Sequence, residues 1–266
     1  MMHRPLLFLA LGTAGALAPL AVPDPSADHY CYTQWDDNSV IDNAPYDGRF
    51  TFFRVRFEPT YGGGGGGRFG RGRGNDKKWD HDTPRAERHL MKILEEITML
   101  RPKMDCGAVY AFGEPESFKY PIAYVSEPGF WTMDESELKG IREYVAKGGF
   151  IIFDDFAGQH WYNFEDRWRE AFPDLQLQPL PRTNPLFDAF YDIRASPLPP
   201  MGAGMQAEWY GAFEDNDPGK RLVAIAGYNA DLGELMEFSD EAYVPIDLSN
   251  EAYKIFVNYL IYAMTH

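Results

Sequence analysis

The sequence has far fewer positively than negatively charged residues, and this imbalance disfavours some classes of protein. Its 266 residues carry 25 Lys and Arg against 40 Asp and Glu, a formal net charge of −15. General nucleic-acid binding depends on the counterions that Lys and Arg displace from phosphates, so an acidic surface disfavours it. We therefore expect no nucleic-acid partner.

Cysteine is also scarce, since Cys31 and Cys106 are the only two in the chain. They allow one disulfide bond, and the sequence leaves open whether it forms. Neither cysteine lies in a Gly-x-Cys-x-Gly turn, and no Gly-x-Ser-x-Gly occurs. The chain therefore lacks the strand-to-helix turn that presents a catalytic nucleophile.

The chain has no long hydrophobic run, and its N-terminal apolar segment, residues 6–17, is short for a membrane span. His3 and Arg4 precede this segment, and Ala16-Leu17-Ala18 matches an Ala-x-Ala cleavage pattern. We predict a signal peptide over residues 1–18 and a periplasmic or extracellular location. Pro19 would hinder cleavage there, which leaves open a later cut, a retained anchor or an ordinary buried helix.

The rest of the chain divides into an irregular tail and one domain. Residues 19–48 are rich in Pro, Asp and Asn without periodicity, which is typical of a tail. Over residues 49–266, short apolar runs alternate with segments of helical spacing. Strands are predicted at 50–57, 107–112, 121–126, 149–154, 208–211 and 222–228, with 233–238 as a candidate continuation of the last region.

Helices are predicted between these strands from capping and periodicity. Thr83 fits the N-cap of the first, Thr132 with Glu135 fits a capping box, and Ser249 fits the N-cap of the last. Another helix is predicted at 163–172. The strand–helix–strand unit over 121–154 indicates parallel pairing through a right-handed crossover. The predicted fold is an α/β sandwich of three layers around a mostly parallel sheet.

Residues 61–74 form a loop in which nine residues are glycine. One interpretation is a flexible, solvated loop. The other is a cradle of backbone amides in which Arg68, Arg71 and Arg73 bind an anion. The loop lacks the Gly-Lys-Ser/Thr ending of a nucleotide-binding P-loop.

Asp154 and Asp155 follow the apolar run 149–153, which is typical of a strand buried on both faces. Ligands of parallel sheets bind beyond the carboxyl ends of the strands, so we predict a site there, with His160 nearby. Asp154, Asp155 and His160 are the candidate catalytic residues. These three residues, which Asp80, His81 and Asp82 could join, could hold a divalent metal ion that activates water, or one Asp could act as general acid or base. The alternative is structural, because adjacent strand residues point to opposite faces.

A second hypothesis is a binding module for a small ligand or a protein partner, because aromatic residues make up 15% of the chain. Exposed rings around an acidic floor suit such ligands, but the same rings could simply cover the core. The candidate ligand-binding residues from both hypotheses are Trp79, Asp80, His81, Asp82, Glu127, Phe130, Trp131 and Trp161.

Five long segments of the domain are WDHDTPRAERHLMKILEEIT, FKYPIAYVSEPGFW, LKGIREYVAKGGFIIFDDF, FEDNDPGKRLVAIAGYN and PIDLSNEAYKIFVNYLIYAMTH. These segments resemble a bacterial family of domains of unknown function, numbered 4159. The resemblance covers about residues 50–266 and implies a class I glutamine amidotransferase-like, flavodoxin-like fold. Without that enzyme's nucleophile, the expected function is non-catalytic binding of a ligand or protein through the strand-end face. The alternative is a hydrolase that uses Asp154 and Asp155 with a nearby histidine.

Overall fold

The computed structural model describes residues 43, 45–60, 77–104, 106–242 and 244–266. The predicted signal peptide, most of the predicted tail and the glycine-rich loop with Arg68, Arg71 and Arg73 lie outside these residues. The strands are β1 (Phe53–Val55), β2 (Ala108–Tyr110), β3 (Ile122–Ser126), β4 (Phe150–Phe156), β5 (Gln178–Pro179), β6 (Glu208–Phe213) and β7 (Leu222–Tyr228). The α-helices are α1 (Arg85–Ile97), α2 (Glu135–Ala146), α3 (His160–Ala171), α4 (Leu232–Glu237) and α5 (Ile246–Thr265).

The seven strands form one sheet in the order β2-β1-β3-β4-β7-β6-β5. The five strands from β2 to β7 run parallel, whereas β6 and β5 add antiparallel pairs at one edge. The sequence prediction of an α/β fold with a mostly parallel sheet is therefore confirmed. Parallel pairing brings the carboxyl ends of β1, β3, β4 and β7 to the same edge of the sheet.

Helices cover both faces of the sheet. Alternate residues of each central strand point to opposite faces, so each strand contributes side chains to two cores. Phe150 and Ile152 of β4 pack in the core beneath α1, α4 and α5. Ile151 and Phe153 pack in the second core beneath α2 and α3. The strand is thus buried on both sides, as its unbroken apolar run predicts.

Several predicted helix boundaries are wrong. The capping box of α2 consists of Asp134 and Glu137, two residues beyond the predicted pair Thr132 and Glu135. Helix α1 begins at Arg85 without a side-chain cap from Thr83. Residues 233–238 do not continue a strand, since Leu232–Glu237 is helix α4. Helix α3 begins three residues before 163, and α5 begins before the predicted cap Ser249. Several residues that can cap a helix often lie within a few positions of one another in the sequence, and tertiary packing determines which of them caps the helix.

At the free edge of the sheet, the side chain of Asn43 pairs with the backbone of β2. Its Nδ2 donates to the Val109 carbonyl (2.8 Å), and its Oδ1 accepts from the Val109 amide (2.7 Å). Cys106, just before this strand, is buried and disulfide-bonded. Cys31, the other cysteine of the sequence, lies outside the described residues. Within the described part of the chain, none of the helices combines the length and apolar character that crossing a membrane requires.

Candidate functional site

Acidic side chains from four separate segments meet at the carboxyl edge of the sheet. We call this group the strand-end cluster; its members are His81, Asp82, Glu127, Asp154, Asp155 and Asp231. His81 and Asp82 precede α1, Glu127 follows β3, Asp154 and Asp155 lie on β4, and Asp231 precedes α4. Of the residues predicted from sequence, the structure brings together His81, Asp82, Glu127, Asp154 and Asp155.

Both adjacent aspartates reach this cluster because β4 is irregular at its end. Asp155 has a left-handed backbone, with φ of 62°, and the register of β4 against β7 shifts between Phe153 and Phe156. A bulge of this kind interrupts the alternation of side chains along a strand. The expectation that Asp154 and Asp155 would point to opposite faces therefore does not hold here.

Three members of the cluster, Asp82, Glu127 and Asp155, have positive φ values of 63°, 46° and 62°. Residues other than glycine rarely adopt this conformation, which costs on the order of 1 kcal/mol or more for each. Such backbone strain concentrates at functional sites, where the surrounding structure maintains it. The strand-end cluster therefore combines the strained backbone that is common at functional sites with the acidic side chains of a candidate ligand-binding site.

His81, Glu127 and Asp155 form one side of the cluster. His81 Nδ1 lies 2.7 Å from Glu127 Oε1 and 3.6 Å from Asp155 Oδ2. Lys78 Nζ lies 3.3 Å from Glu127 Oε2. Burial opposes the charged form of His81, but its contacts with Asp155 and Glu127 outweigh this effect and raise its pKa to about 11. Without a bound cation, His81 is therefore protonated at neutral pH.

Asp82, Asp155 and Asp231 form the other side. One carboxylate oxygen from each residue lies within 4.8 Å of those of the other two. Asp231 also caps α4, since its Oδ1 accepts from the Glu234 amide (2.8 Å). Burial raises the pKa of each of these three carboxyl groups, and repulsion between them adds to the effect for Asp82 and Asp231. Ionising all three together is unfavourable unless a cation accompanies them.

Asp154 is the most fully hydrogen-bonded acid of the cluster. It accepts from the Tyr124 hydroxyl (3.1 Å) and from the amides of Leu232 and Gly233 (both 3.0 Å) at the start of α4. Burial raises its pKa to about 7, although the two amides oppose the rise. This carboxylate ties β4 to α4 and so helps to place Asp231.

Two carboxylate oxygens of the cluster are buried but have no hydrogen-bond partner among the described residues. They are Asp82 Oδ2 and Glu127 Oε2. Glu127 is only 8% exposed, and Lys78 is an ion-pair neighbour of its Oε2 rather than a hydrogen-bond donor. A buried acceptor without a partner costs about 1–3 kcal/mol, so it normally has a protein, water or ligand contact.

The chemistry of these groups fits a divalent cation. His81, Glu127 and Asp155 each offer one ligand atom within 4.8 Å of the others, and Asp155 belongs to the second set as well. Imidazole with carboxylates suits Mn²⁺ or Zn²⁺, and carboxylates alone suit Mg²⁺, Ca²⁺ or Mn²⁺. The residues therefore fit a metal site in donor type and proximity.

The other residues predicted for the site do not belong to either set of candidate metal ligands. Trp79 and Trp131 are buried in the core beneath α2 and α3, so they cover that core and offer little surface to a ligand. Asp80 is partly exposed and belongs to neither set of ligand atoms. His160 begins α3 and belongs to neither set; its ring packs 4.6 Å from that of Phe130.

Two predicted aromatic residues remain partly exposed. Phe130 follows Glu127 by three residues, and its ring lies 4.5 Å from Lys78 Nζ. Trp161 packs against Tyr210 (4.5 Å) and Tyr228 (5.0 Å). These rings lie within reach of solvent and remain candidates for ligand contact.

Sequence reasoning missed Asp231, Lys78 and Tyr124. Asp231 had a usable signal, because it lies three residues after a buried strand and three residues before a Glu, which is a helix N-terminus pattern. Since β7 is parallel to β4, that N-terminus must lie at the same edge as Asp154. Lys78 and Tyr124 gave no comparable signal, because their roles depend on contacts distant in sequence.

Comparison with known proteins identifies a family. No match to the chain was found among curated proteins. A family model described as Domain of unknown function (DUF4159) matches residues 68–264, which is well over half of the chain and includes the whole strand-end cluster. The chain therefore belongs to the DUF4159 family.

Proposed function

We propose that the strand-end cluster binds a divalent metal ion between His81, Glu127 and Asp155, and that the protein is a metal-assisted hydrolase. The observation that carries this proposal is the convergence of these three ligand atoms within 4.8 Å, with Glu127 Oε2 buried and, among the residues that the structure describes, without a hydrogen-bond partner. A buried carboxylate oxygen without a hydrogen bond is costly, and a coordinated cation removes that cost.

The residues have separate roles in this proposal. A bound divalent ion lowers the pKa of a coordinated water, so that hydroxide is available at neutral pH. His81 contributes its imidazole as a ligand once its proton is displaced. Asp154 fixes the start of α4, and Lys78 places a positive charge beside the site. The partly exposed Phe130 ring, beside Lys78, offers an apolar surface for the substrate.

We further propose a flavodoxin-like fold of the glutamine amidotransferase-like type and export from the cytoplasm. The parallel part of the sheet, β2-β1-β3-β4-β7, has the 2-1-3-4-5 order of flavodoxin-like proteins, which supports this fold. The disulfide at Cys106 supports an oxidising compartment outside the cytoplasm. It also removes Cys106 as a nucleophile, because a disulfide-bonded sulfur is not a thiolate, so we do not propose amidotransfer.

The test is metal binding and metal-dependent hydrolysis by the purified chain. After treatment with a chelator, the protein should bind Mn²⁺ in calorimetry and hydrolyse at least one of a set of nitrophenyl phosphates, carboxylates and glycosides. Glu127→Gln should lower both the affinity and the rate at least about 100-fold, since a lost ligand or its support has effects of this order. Asp166→Asn, an exposed acid on α3, is the matched control.

If the chelated protein binds no Mn²⁺ while its circular dichroism spectrum shows it to be folded, the metal proposal is wrong. Binding of Mn²⁺ without any hydrolysis would favour a second candidate, a non-catalytic module that binds a small ligand or a protein. The observation in its favour is the set of partly exposed rings at Phe130, Trp161, Tyr210 and Tyr228. This module should lose its partner in Phe130→Ala or Trp161→Ala, but keep it in Tyr162→Ala, an exposed ring on the same helix as Trp161.

A further inference from the structure

We propose that the strand-end cluster binds two divalent ions rather than one, with Asp155 bridging them. The first ion is the one of the proposed function, on which this inference rests. The second lies between Asp82, Asp155 and Asp231. Asp155 is common to both sets of ligand atoms. A carboxylate has two oxygens, and bridged ions in two-metal sites lie about 3.5–4 Å apart, so one side chain can serve both.

The proposed second metal position also contains a buried carboxylate oxygen without a hydrogen-bond partner among the described residues. Asp82 is partly exposed as a residue, but its Oδ2 is buried and has no hydrogen-bond partner among the described residues. Asp82 belongs to the second set of ligand residues and not to the first. An ion held by the first set alone would leave its Oδ2 unsatisfied.

The backbone around Asp82 is shaped to bring it close to the cluster. A Cβ at position 233 would collide with Asp82 Oδ2, so only glycine fits there without displacing the carboxylate. The Gly233 amide meanwhile donates to Asp154 (3.0 Å), which holds the start of α4 in place. Asp231 accepts the α4 cap through Oδ1, and its carboxyl group also hydrogen-bonds that of Asp155, so a cation between the two would take the place of the proton they share.

Charge balance also favours a second ion. The cluster holds five carboxylates, and Lys78 is the lysine paired with it among the described residues. With neutral His81 as a ligand, one divalent ion leaves two negative charges, whereas a second divalent ion brings the local sum to zero. The buried Arg54 is paired with Glu87, so these two residues together add no net charge to this sum.

The two positions differ in chemistry. The first offers an imidazole nitrogen and two carboxylates, and the second offers carboxylates alone. Nitrogen-containing sets suit transition metals, and all-oxygen sets suit harder ions. Mn²⁺ accepts both kinds of ligand and is paramagnetic, so it can occupy both positions and report on their separation.

The experiment is a titration of the full, chelator-treated chain with Mn²⁺, read by elemental analysis after dialysis and by electron paramagnetic resonance. The wild-type chain should bind two ions and show the spectrum of an exchange-coupled pair. His81→Ala and Asp231→Asn should each retain one ion with an uncoupled spectrum, and Asp155→Asn should weaken both by at least about 10-fold. Asp166→Asn should bind two ions, as the wild type does.

The possible stoichiometries separate this inference from the proposed function. One ion per wild-type chain at saturation overturns the two-ion inference and leaves the proposed function intact. No bound ion overturns both. Two ions without coupling place the second ion elsewhere and overturn the bridging role of Asp155. Circular dichroism of each variant, together with His81→Gln as a less disruptive replacement, separates lost binding from lost structure.

Discussion

Two groups of buried charge lie near each other in this molecule, and they are handled in opposite ways. Arg54 on β1 and Glu87 on α1 form a buried ion pair of one charge of each sign, with Nη2 2.5 Å from Oε1. Arg54 Nη1 also donates to the Trp79 carbonyl (2.9 Å). The strand-end cluster, by contrast, gathers five carboxylates with His81 and Lys78 as its positive partners.

This difference indicates a structural role for the Arg54–Glu87 pair and a ligand-binding role for the strand-end cluster. The Arg54–Glu87 pair needs nothing from outside, since each charge is neutralised by the other, although Glu87 Oε2 lacks a hydrogen bond among the described residues. The strand-end cluster raises the pKa of four carboxyl groups and of one histidine, so the folded chain holds protons there that the unfolded chain would release. These carboxyl groups need protons to be neutral in the metal-free protein, and a bound metal ion can displace those protons and neutralise the carboxylates instead.

The two groups are also linked through the segment before α1. Arg54 holds the Trp79 carbonyl, and His81 and Asp82 follow Trp79 within three residues. The nearby Arg54 charge also opposes the rise in the pKa of Asp82. We therefore regard Arg54 as a positioning residue for the strand-end cluster.

The largest expected effect comes from breaking the balanced group. Arg54→Met leaves Glu87 buried without its counter-charge, and we expect a loss of about 3–5 kcal/mol in the free energy of unfolding. The double variant Arg54→Met/Glu87→Leu should recover most of this loss, because no charge remains to be neutralised. Urea unfolding measures both. A single variant within 1 kcal/mol of wild type would show that the pair is not the structural element described here.

The strand-end cluster should make the metal-free protein less stable as pH rises. Asp154 has a pKa of about 7 in the folded chain, above its ordinary value of 3.8, so its contribution is complete below pH 3.8 and is lost as pH rises through 7. Asp82, Asp155 and Asp231 are shifted in the same direction. Each proton held only by the folded chain costs about 1.4 kcal/mol of stability per pH unit.

Urea unfolding in the presence of a chelator, from pH 5 to pH 7, tests this sign. The surface acids Asp47 and Asp192, whose pKa values are lowered by hydrogen bonds from Arg49 and Arg194, are ionised throughout that range and add no slope. Saturating Mn²⁺ should weaken or reverse the decline, since metal binding displaces protons. Stability that increases with pH in the chelated protein would contradict the assigned electrostatics.

The smallest effect expected is a gain in stability. Asp231→Asn keeps the cap of α4, because Asn is as good an N-cap as Asp, but it removes a buried carboxyl group with a raised pKa. We expect about 1 kcal/mol more stability for the metal-free protein at pH 8, with weaker Mn²⁺ binding. Thermal unfolding should show the gain, and Asp166→Asn should show none. A destabilised Asp231→Asn would mean that the carboxylate has a structural partner that Asn cannot replace.

Much of the fold was predictable because its signals are local. The runs at 121–126 and 149–154 are apolar enough to indicate strands buried on both faces, and the spacing of Leu138, Ile141 and Val145 indicates the helix between them. Helix ends were less predictable, because Thr132 and Asp134 are both adequate caps and the packing of α2 selects Asp134. The aromatic residues were ambiguous for a similar reason, since the same rings suit a core or a binding surface. The structure places Trp79 and Trp131 in the core and leaves Phe130 and Trp161 partly exposed.

The sequence by itself determined that the chain alternates strands with helices and that Asp154 and Asp155 lie near the carboxyl end of a strand buried on both faces. Hydrophobic periodicity carries this information, and it depends only on neighbouring residues. Only the tertiary structure decided that His81, Asp82, Glu127 and Asp231 join these two aspartates. Those residues are distant in the chain, and parallel pairing of β3, β4 and β7 brings them to one edge. The left-handed backbone of Asp155, which directs its carboxylate into the same cluster as that of Asp154, is likewise maintained by the surrounding contacts and has no local signal in the sequence.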